Sequence, residues 1–158
     1  MSTRGMIGRQ NADGTITAIY SHCNNYTEAN GWLLSTHYTD PAKVDALIAL
    51  ECVSEVGLDI GEQHDYRSDD RVTPGGWRKW CLSFYRDRNE TDIMSEIVTR
   101  ESWPAIATQM DSEMVFLWTG THWQCAAVHG YHEHSRFGAW YRLVPTPVSG
   151  AVDTILIR

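Results

Sequence analysis

Two short stretches of the chain gather side chains able to do chemistry. His22 and Cys23 stand together in IYSHCNNYTEANGWLL, residues 19–34, and His129, His132 and His134 stand together in HGYHEH. A thiol beside an imidazole suggests a cysteine nucleophile and its base. Consecutive residues on a strand point to opposite faces, however, so Cys23 would need a different histidine. The other reading of this turn is a connection, in which Asn24 and Asn25 reverse the chain and Thr27 caps the helix that follows. In the histidine cluster, a strand would place His132 and His134 on one face, as two imidazole ligands of one ion; a helix would make neighbours only of His129 and His132. Neither geometry collects all three. A metal site would need a distorted loop or a distant ligand such as His22, His122 or Glu133, and without metal the segment is a polar, pH-sensitive loop.

A third stretch, YRDRNE at 85–90, offers the Arg86 guanidinium as a clamp for phosphate or carboxylate, while its alternating signs equally make a salt-bridged turn. Tyr20, His22, Asn25 and Arg86, with tryptophans around them, could enclose a nucleotide signal, and Tyr26 joins them as a candidate binding residue. No G-x-S-x-G, P-loop or dinucleotide fingerprint occurs, so no catalytic residue is assigned and no cofactor is expected.

Charge points to a different surface. Between Asp40 and Asp70 nine acidic residues face only Lys43 and Arg67, a balance of -7 that equals the net charge of the whole chain. Such a chain does not bind nucleic acid by neutralising phosphates. Glu55, Asp59, Glu62, Asp69 and Asp70 are instead candidates for meeting a basic partner, against the plainer reading of a solvated acidic face.

The elements that must position these residues follow from pattern. With 158 residues, 42% of them apolar, the chain is long enough for one domain, 1–158, that buries roughly 70% of its unfolded surface. Gly5 to Gln10 and Thr15 to Ser21 form a hairpin through Asn11-Ala12-Asp13-Gly14. Thr27 opens a helix with Trp32, Leu33 and Tyr38 on its buried side, and Asp40-Pro41 opens another over 41–51. Residues 52–76 form an acidic, irregular excursion ending in the Pro74-Gly75-Gly76 turn. Alternation predicts a strand over Trp77 to Tyr85. Thr91 caps a short helix carrying Ile93, Met94, Ile97 and Val98, and Ser102 one running to about Met110. Met114 to Trp118 and Trp123 to Val128 make a second hairpin, and Trp140 to Val144 and Val152 to Ile157 are the last two strands. The expected class is α+β: a mainly antiparallel sheet of six to seven strands with three to four short helices packed on one face.

Cys23, Cys52, Cys81 and Cys125 stand at wide intervals with no C-x-x-C pair, so free thiols are expected. The N-terminus has no apolar run of signal-peptide length and no segment is long enough to span a bilayer, which implies a cytoplasmic protein without membrane contact.

Ser2-Thr3-Arg4, Ile7-Gly8, Asp13-Gly14-Thr15, Ile19-Tyr20-Ser21-His22, Tyr26, Gly31, His37-Tyr38 and Lys43-Val44-Asp45-Ala46-Leu47-Ile48-Ala49-Leu50 together resemble a family of small bacteriophage and prophage proteins. The likeness covers about residues 2–57. Where that pattern has an aromatic residue, aspartate and glycine after the histidine, this chain has Cys23, Asn24 and Asn25, and so lacks a carboxylate that acid–base or metal chemistry at the turn would use. The family carries no reaction to transfer, and the resemblance implies a phage origin. The expectation is an accessory protein in the host bacterial cytoplasm that inhibits a defence system, of the anti-CRISPR or another anti-defence type, or another host factor. It would act by stoichiometric binding to a host protein with a basic surface. A nucleotide sponge and a metal-dependent enzyme using His129, His132 and His134 are the alternatives, and a homo-oligomer remains open.

Overall fold

A computed structural model describes residues 2–72 and 75–158. The elements in order are β1 (Gly5–Gln10), β2 (Ile16–Ser21), a π turn (Thr27–Gly31), α1 (Trp32–His37), α2 (Pro41–Ala49), β3 (Val53–Glu55), β4 (Arg71–Val72), β5 (Trp77–Arg78), β6 (Leu82–Ser83), α3 (Phe84–Arg88), β7 (Glu96–Val98), α4 (Trp103–Gln109), β8 (Met114–Trp118), β9 (Trp123–His129), a 3-10 turn (His132–His134), β10 (Arg136–Phe137), β11 (Tyr141–Pro145) and β12 (Val152–Leu156). The class is α+β. Ten strands share one sheet, ordered β12-β11-β9-β8-β1-β2-β3-β6, with β10 beside β9 and β7 beside β2; β4 and β5 form a separate ribbon.

The opening hairpin forms as its turn chemistry dictates: Gly14 takes a φ of +88° and the register runs from Gly5↔Ser21 to Gln10↔Ile16. Its β1 strand then lies parallel to β8, and β2 lies parallel to β3, so the sheet is mixed although most pairs are antiparallel. Both faces of its centre are buried. Ile7, Ile19, Phe116, Trp118 and Trp123 face one core with Leu33 of α1 and Val44, Leu47 and Ile48 of α2. Met6, Ile16, Ala18, Val115, Leu117 and Ala126 face a second core with Trp103 and Ala107 of α4. Helices therefore cover both faces, rather than the single face expected. The alternation of large apolar residues on neighbouring positions, Met6 with Ile7 and Phe116 with Leu117, leaves no solvent-facing side.

The strand count of six to seven is corrected to twelve among the described residues, and the reasons are local. Over Trp77 to Tyr85 the expected single strand breaks into β5, β6 and the start of α3. The Ser83 hydroxyl accepts the Arg86 N–H at 3.1 Å, and this cap turns the chain into a helix despite the alternation. The helix expected after Thr91 is absent, because Glu96 to Val98 pair with Ala18 to Ile16 along the outer side of β2. That tertiary ladder overrides the helical spacing. Tyr26, not Thr27, precedes the first helical turn, and no side chain caps it. Asp40 does cap α2, accepting the Ala42 N–H at 3.0 Å. Within the excursion expected at 52–76, Val53–Glu55 is a strand of the main sheet and Cys52, Val53, Glu55 and Val56 are buried. The Pro74 part of its expected turn lies outside the described residues.

No helix among the described residues is long and apolar enough to cross a membrane. All four cysteines are free, and Cys52, Cys81 and Cys125 are buried as small hydrophobes.

Trp103 holds the second core together. It is fully buried, donates its Nε1–H to the Met6 sulfur at 3.3 Å and meets Phe137 edge-on at 5.4 Å. Gly8 lets it approach, since a Cβ there would lie 2.8 Å from the indole. Trp103→Ala should cost about 3–5 kcal/mol in urea unfolding. A loss below about 1 kcal/mol would mean that α4 is not anchored through this ring.

Candidate functional site

The His22 turn follows the end of β2, and its polar groups are directed mostly at one another. His22 Nδ1 and the Tyr20 hydroxyl share a hydrogen bond of 2.8 Å, whereas Cys23 Sγ lies 3.8 Å from the Ser2 hydroxyl. The histidine and the thiol are not partners. Burial pushes the Cys23 thiol above its ordinary pKa, which reduces its thiolate character. Asn25 is buried and donates to the carbonyls of Thr3 and Ser21, each at 2.8 Å, tying the chain start to β2. Asn30 donates in turn to Asn25 Oδ1 at 2.9 Å and to the Cys23 carbonyl at 3.1 Å. Tyr26 projects outward, 45% exposed.

Arg86 is a clamp, and what it grips is the protein itself. Its guanidinium donates to the carbonyls of Ile60 at 2.9 Å, Gly61 at 3.2 Å and Cys81 at 2.7 Å. Its Nε also donates to Asp87 Oδ1 at 3.0 Å, and the Asp87 side chain is fully buried. Asp87 further accepts the backbone N–H groups of His64 at 3.2 Å and Ser83 at 2.8 Å. The salt-bridged turn is thus the reading that fits Arg86. Asp87 belongs to the stretch whose alternating signs predicted that turn; His64, more than 20 residues earlier, carried no signal that pointed to it.

Six of the nine acidic side chains of 40–70 lie beside a cation. Glu55 is held by Arg71 through two bonds, at 2.8 Å and 3.0 Å, and also accepts from Asn24 at 3.3 Å. Asp70 pairs with Arg78 at 2.9 Å, Asp59 with Lys43 at 3.0 Å and Asp45 with Arg9 at 3.1 Å. Asp65 pairs with Arg67 at 3.2 Å, and Asp69 lies 3.6 Å from Arg71. Glu55 and Asp70 are structural. Asp59 stays at the surface, as do Glu62, Asp65 and Asp69, which share with Tyr66, itself 45% exposed, a stretch at 60–70 without helix or strand. Arg86 and Asp87 pin the base of this loop.

At 129–134 the histidines are not gathered around one point. His129 ends β9, His132 and His134 lie in the exposed 3-10 turn, and His134 Nε2 lies 3.7 Å from Glu133. Among the described residues no group of three His, Cys, Asp or Glu side chains is placed to hold an ion.

A further cleft of about 170 Å³ opens beside Ser35, Thr39, His122 and Arg142 over the edges of Trp118 and Trp123. Its tryptophans are almost wholly buried and offer little face for stacking. Tyr20, His22 and Asn25 lie at the β2 turn, whereas the Arg86 guanidinium is bonded to the carbonyls of Ile60, Gly61 and Cys81.

Comparison of the chain with protein-family models, curated proteins and solved structures finds no match. The chemistry of the surface itself must carry the functional reading.

Two outcomes follow from these bonds. Arg86→Met leaves the Asp87 carboxylate buried without its counter-charge, so unfolding free energy should fall by about 3–5 kcal/mol. Amide exchange of His64 and Ser83 should quicken with it; unchanged protection would show that the loop base is held elsewhere. Protonation of His22, His37 and His122 is disfavoured by burial first, reinforced by Arg4 and Arg88, by Lys43, and by Arg142 respectively. Their folded values are lowered, so the unfolded chain takes up protons first. The stability they support is complete above the ordinary value of 6.5 and lost as pH falls from there through the folded values. Urea midpoints should decline over that window, and replacing all three by Gln should flatten the decline.

Proposed function

We propose that the chain is a phage-encoded accessory protein that inhibits a bacterial defence system, or another host factor, by stoichiometric binding in the host cytoplasm. The contact is made by the 60–70 loop on a basic, nucleic-acid-binding host protein. One observation carries this reading: an exposed loop bearing a tyrosine and several carboxylates is fixed at its base by a buried ion pair. Exposed loops held on a rigid scaffold are where recognition residues concentrate. A fixed base lowers the ordering cost of binding, and a tyrosine brings a large contact area with few rotatable bonds. The surrounding carboxylates favour a basic partner and speed encounter with it.

The test is expression in bacteria that carry a defined defence system, scored by phage plating and by recovery of the complex. Glu62→Gln, Asp65→Asn, Tyr66→Ala and Asp69→Asn combined should abolish inhibition and weaken the complex at least roughly tenfold, with thermal unfolding unchanged. Glu55 and Asp70 are left intact because their ion pairs are structural. Full inhibition by the combined variant would overturn the assignment of the loop.

A further inference from the structure

β12 is the last strand of the large sheet, and among the described residues no strand lies on its outer side. Its backbone orientation can be read from the ladder. Ile157 N donates to the Trp140 carbonyl at 2.9 Å, and Thr146 N donates to the Ala151 carbonyl at 3.1 Å. These bonds bracket a register in which Tyr141 faces Leu156 and Leu143 faces Thr154. Bonded and non-bonded pairs alternate along an antiparallel ladder, so Asp153 and Ile155 bond inward to β11. The N–H and C=O groups of Val152, Thr154 and Leu156 therefore point outward.

Natural sheets protect such an edge with lysine, proline, a bulge or a covering element. β12 reads VDTIL, with Asp153 its one charge and no lysine, proline or bulge, and the π turn at Thr27–Gly31 touches the strand without pairing with it. Ile155 is 56% exposed, Leu156 42% and the following Ile157 38%.

We propose that β12 pairs antiparallel with β12 of a second copy about a two-fold axis at Thr154, joining two ten-stranded sheets into one. In that register Val152 faces Leu156 of the second copy, Thr154 faces Thr154, and all three outward residues meet outward residues. Six backbone hydrogen bonds form, and β-branched and apolar side chains become cross-strand partners. Charge also favours a second copy as occupant. Arg142 stands directly opposite Ile155 on β11 and forms no ion pair among the described residues, although Asp153 of its own chain lies diagonally along β12 on the same face. Ile155 stands opposite Asp153 of the second copy, so Arg142, Ile155 and that Asp153 form one row on one face. Two strand spacings separate the charges, about 10 Å between backbones, within reach of an extended arginine. The symmetry makes this pairing twice. Residues 114–158 carry three arginines against two carboxylates, so the remaining 113 residues hold ten cations and 18 anions, a net -8. Joining at β12 brings together the two ends that do not repel. The 60–70 loops, near the opposite end of each sheet, stay free.

The measurement is sedimentation velocity over a concentration series, beside circular dichroism. The wild type should sediment at twice the chain mass. Thr154→Pro removes one outward N–H and no inward bond, so it should keep the spectrum and halve the mass. Thr154→Lys and Thr154→Glu each place like charges on the axis and should sediment as monomers, and their equimolar mixture should restore the dimer. A wild type that remains monomeric throughout, or a folded Thr154→Pro variant that remains dimeric, overturns the proposal. So does a Lys and Glu mixture that stays monomeric.

Discussion

Met6 and Ile7 send neighbouring side chains into two different cores, and the same division recurs at Phe116 and Leu117 and at Cys125 and Ala126. A sheet whose centre is apolar on both faces must be covered twice, and a chain of this length has few helices with which to do it. α1 and α2 close one side, and α4, with Trp103 at its start, closes the other. The parallel β1–β8 pair lies at the middle, where both covers overlap, as parallel ladders generally do. The remaining elements are arranged by what that double cover leaves over. The ends of the sheet lack a full cover, and it is there that short strands, irregular loops and exposed apolar residues collect.

The polar interior follows the same economy. Asp87 is the only carboxylate among the described ion pairs with no side-chain exposure, and it is surrounded by Arg86, two backbone N–H groups and the His64 ring. Such an arrangement is a weak source of net stability, because desolvating two charges costs much of what their attraction returns. Its effect lies in geometry. Arg86 has its remaining donors on the carbonyls of Ile60, Gly61 and Cys81, so the start of the 60–70 loop, β6 and α3 share one anchor. Glu55 with Arg71 and Asp70 with Arg78 continue this lacing toward the β4–β5 ribbon. An acidic segment that would repel itself as an isolated stretch is thereby partly neutralised by the cations around it, and the outer carboxylates stay exposed.

Legibility in the sequence tracked how local each signal was. The two hairpins, the Asp40-Pro41 helix start and the final two strands were readable because turn chemistry, caps and alternation act over a few residues. Glu96 to Val98 misled because Ile93, Met94, Ile97 and Val98 fit a helix face, while the strand depends on a vacant flank of β2 nearly 80 residues earlier in the chain. Pairing across such a distance leaves no mark in a short window. The candidate site behaved likewise. Arg86 stood out by its type, but its partners Ile60 and Gly61 are backbone carbonyls of ordinary residues in a distant loop, and no residue pattern announces an acceptor of that kind. His22 and Cys23 drew attention by adjacency, the spacing that a strand makes least useful.

The two ends of the sheet are open for different reasons, and the difference bears on how this molecule would meet others. At the β3–β6 end the exposed groups are side chains, tyrosine and carboxylates on a pinned loop, whose recognition depends on the charge and shape of a partner. At the β12 end the open groups are backbone N–H and C=O, which any extended strand can satisfy; selectivity there must come from register and flanking residues. A second copy, as proposed, would bring matching edges at the concentration of the protein itself, with Arg142 and Asp153 supplying register. Occupying that edge also removes a template for indiscriminate strand addition. In the proposed dimer, self-pairing at one end would shield the edge from aggregation while presenting the other end twice, and the loop surface proposed to bind would then gain avidity against a multimeric target without any new contact.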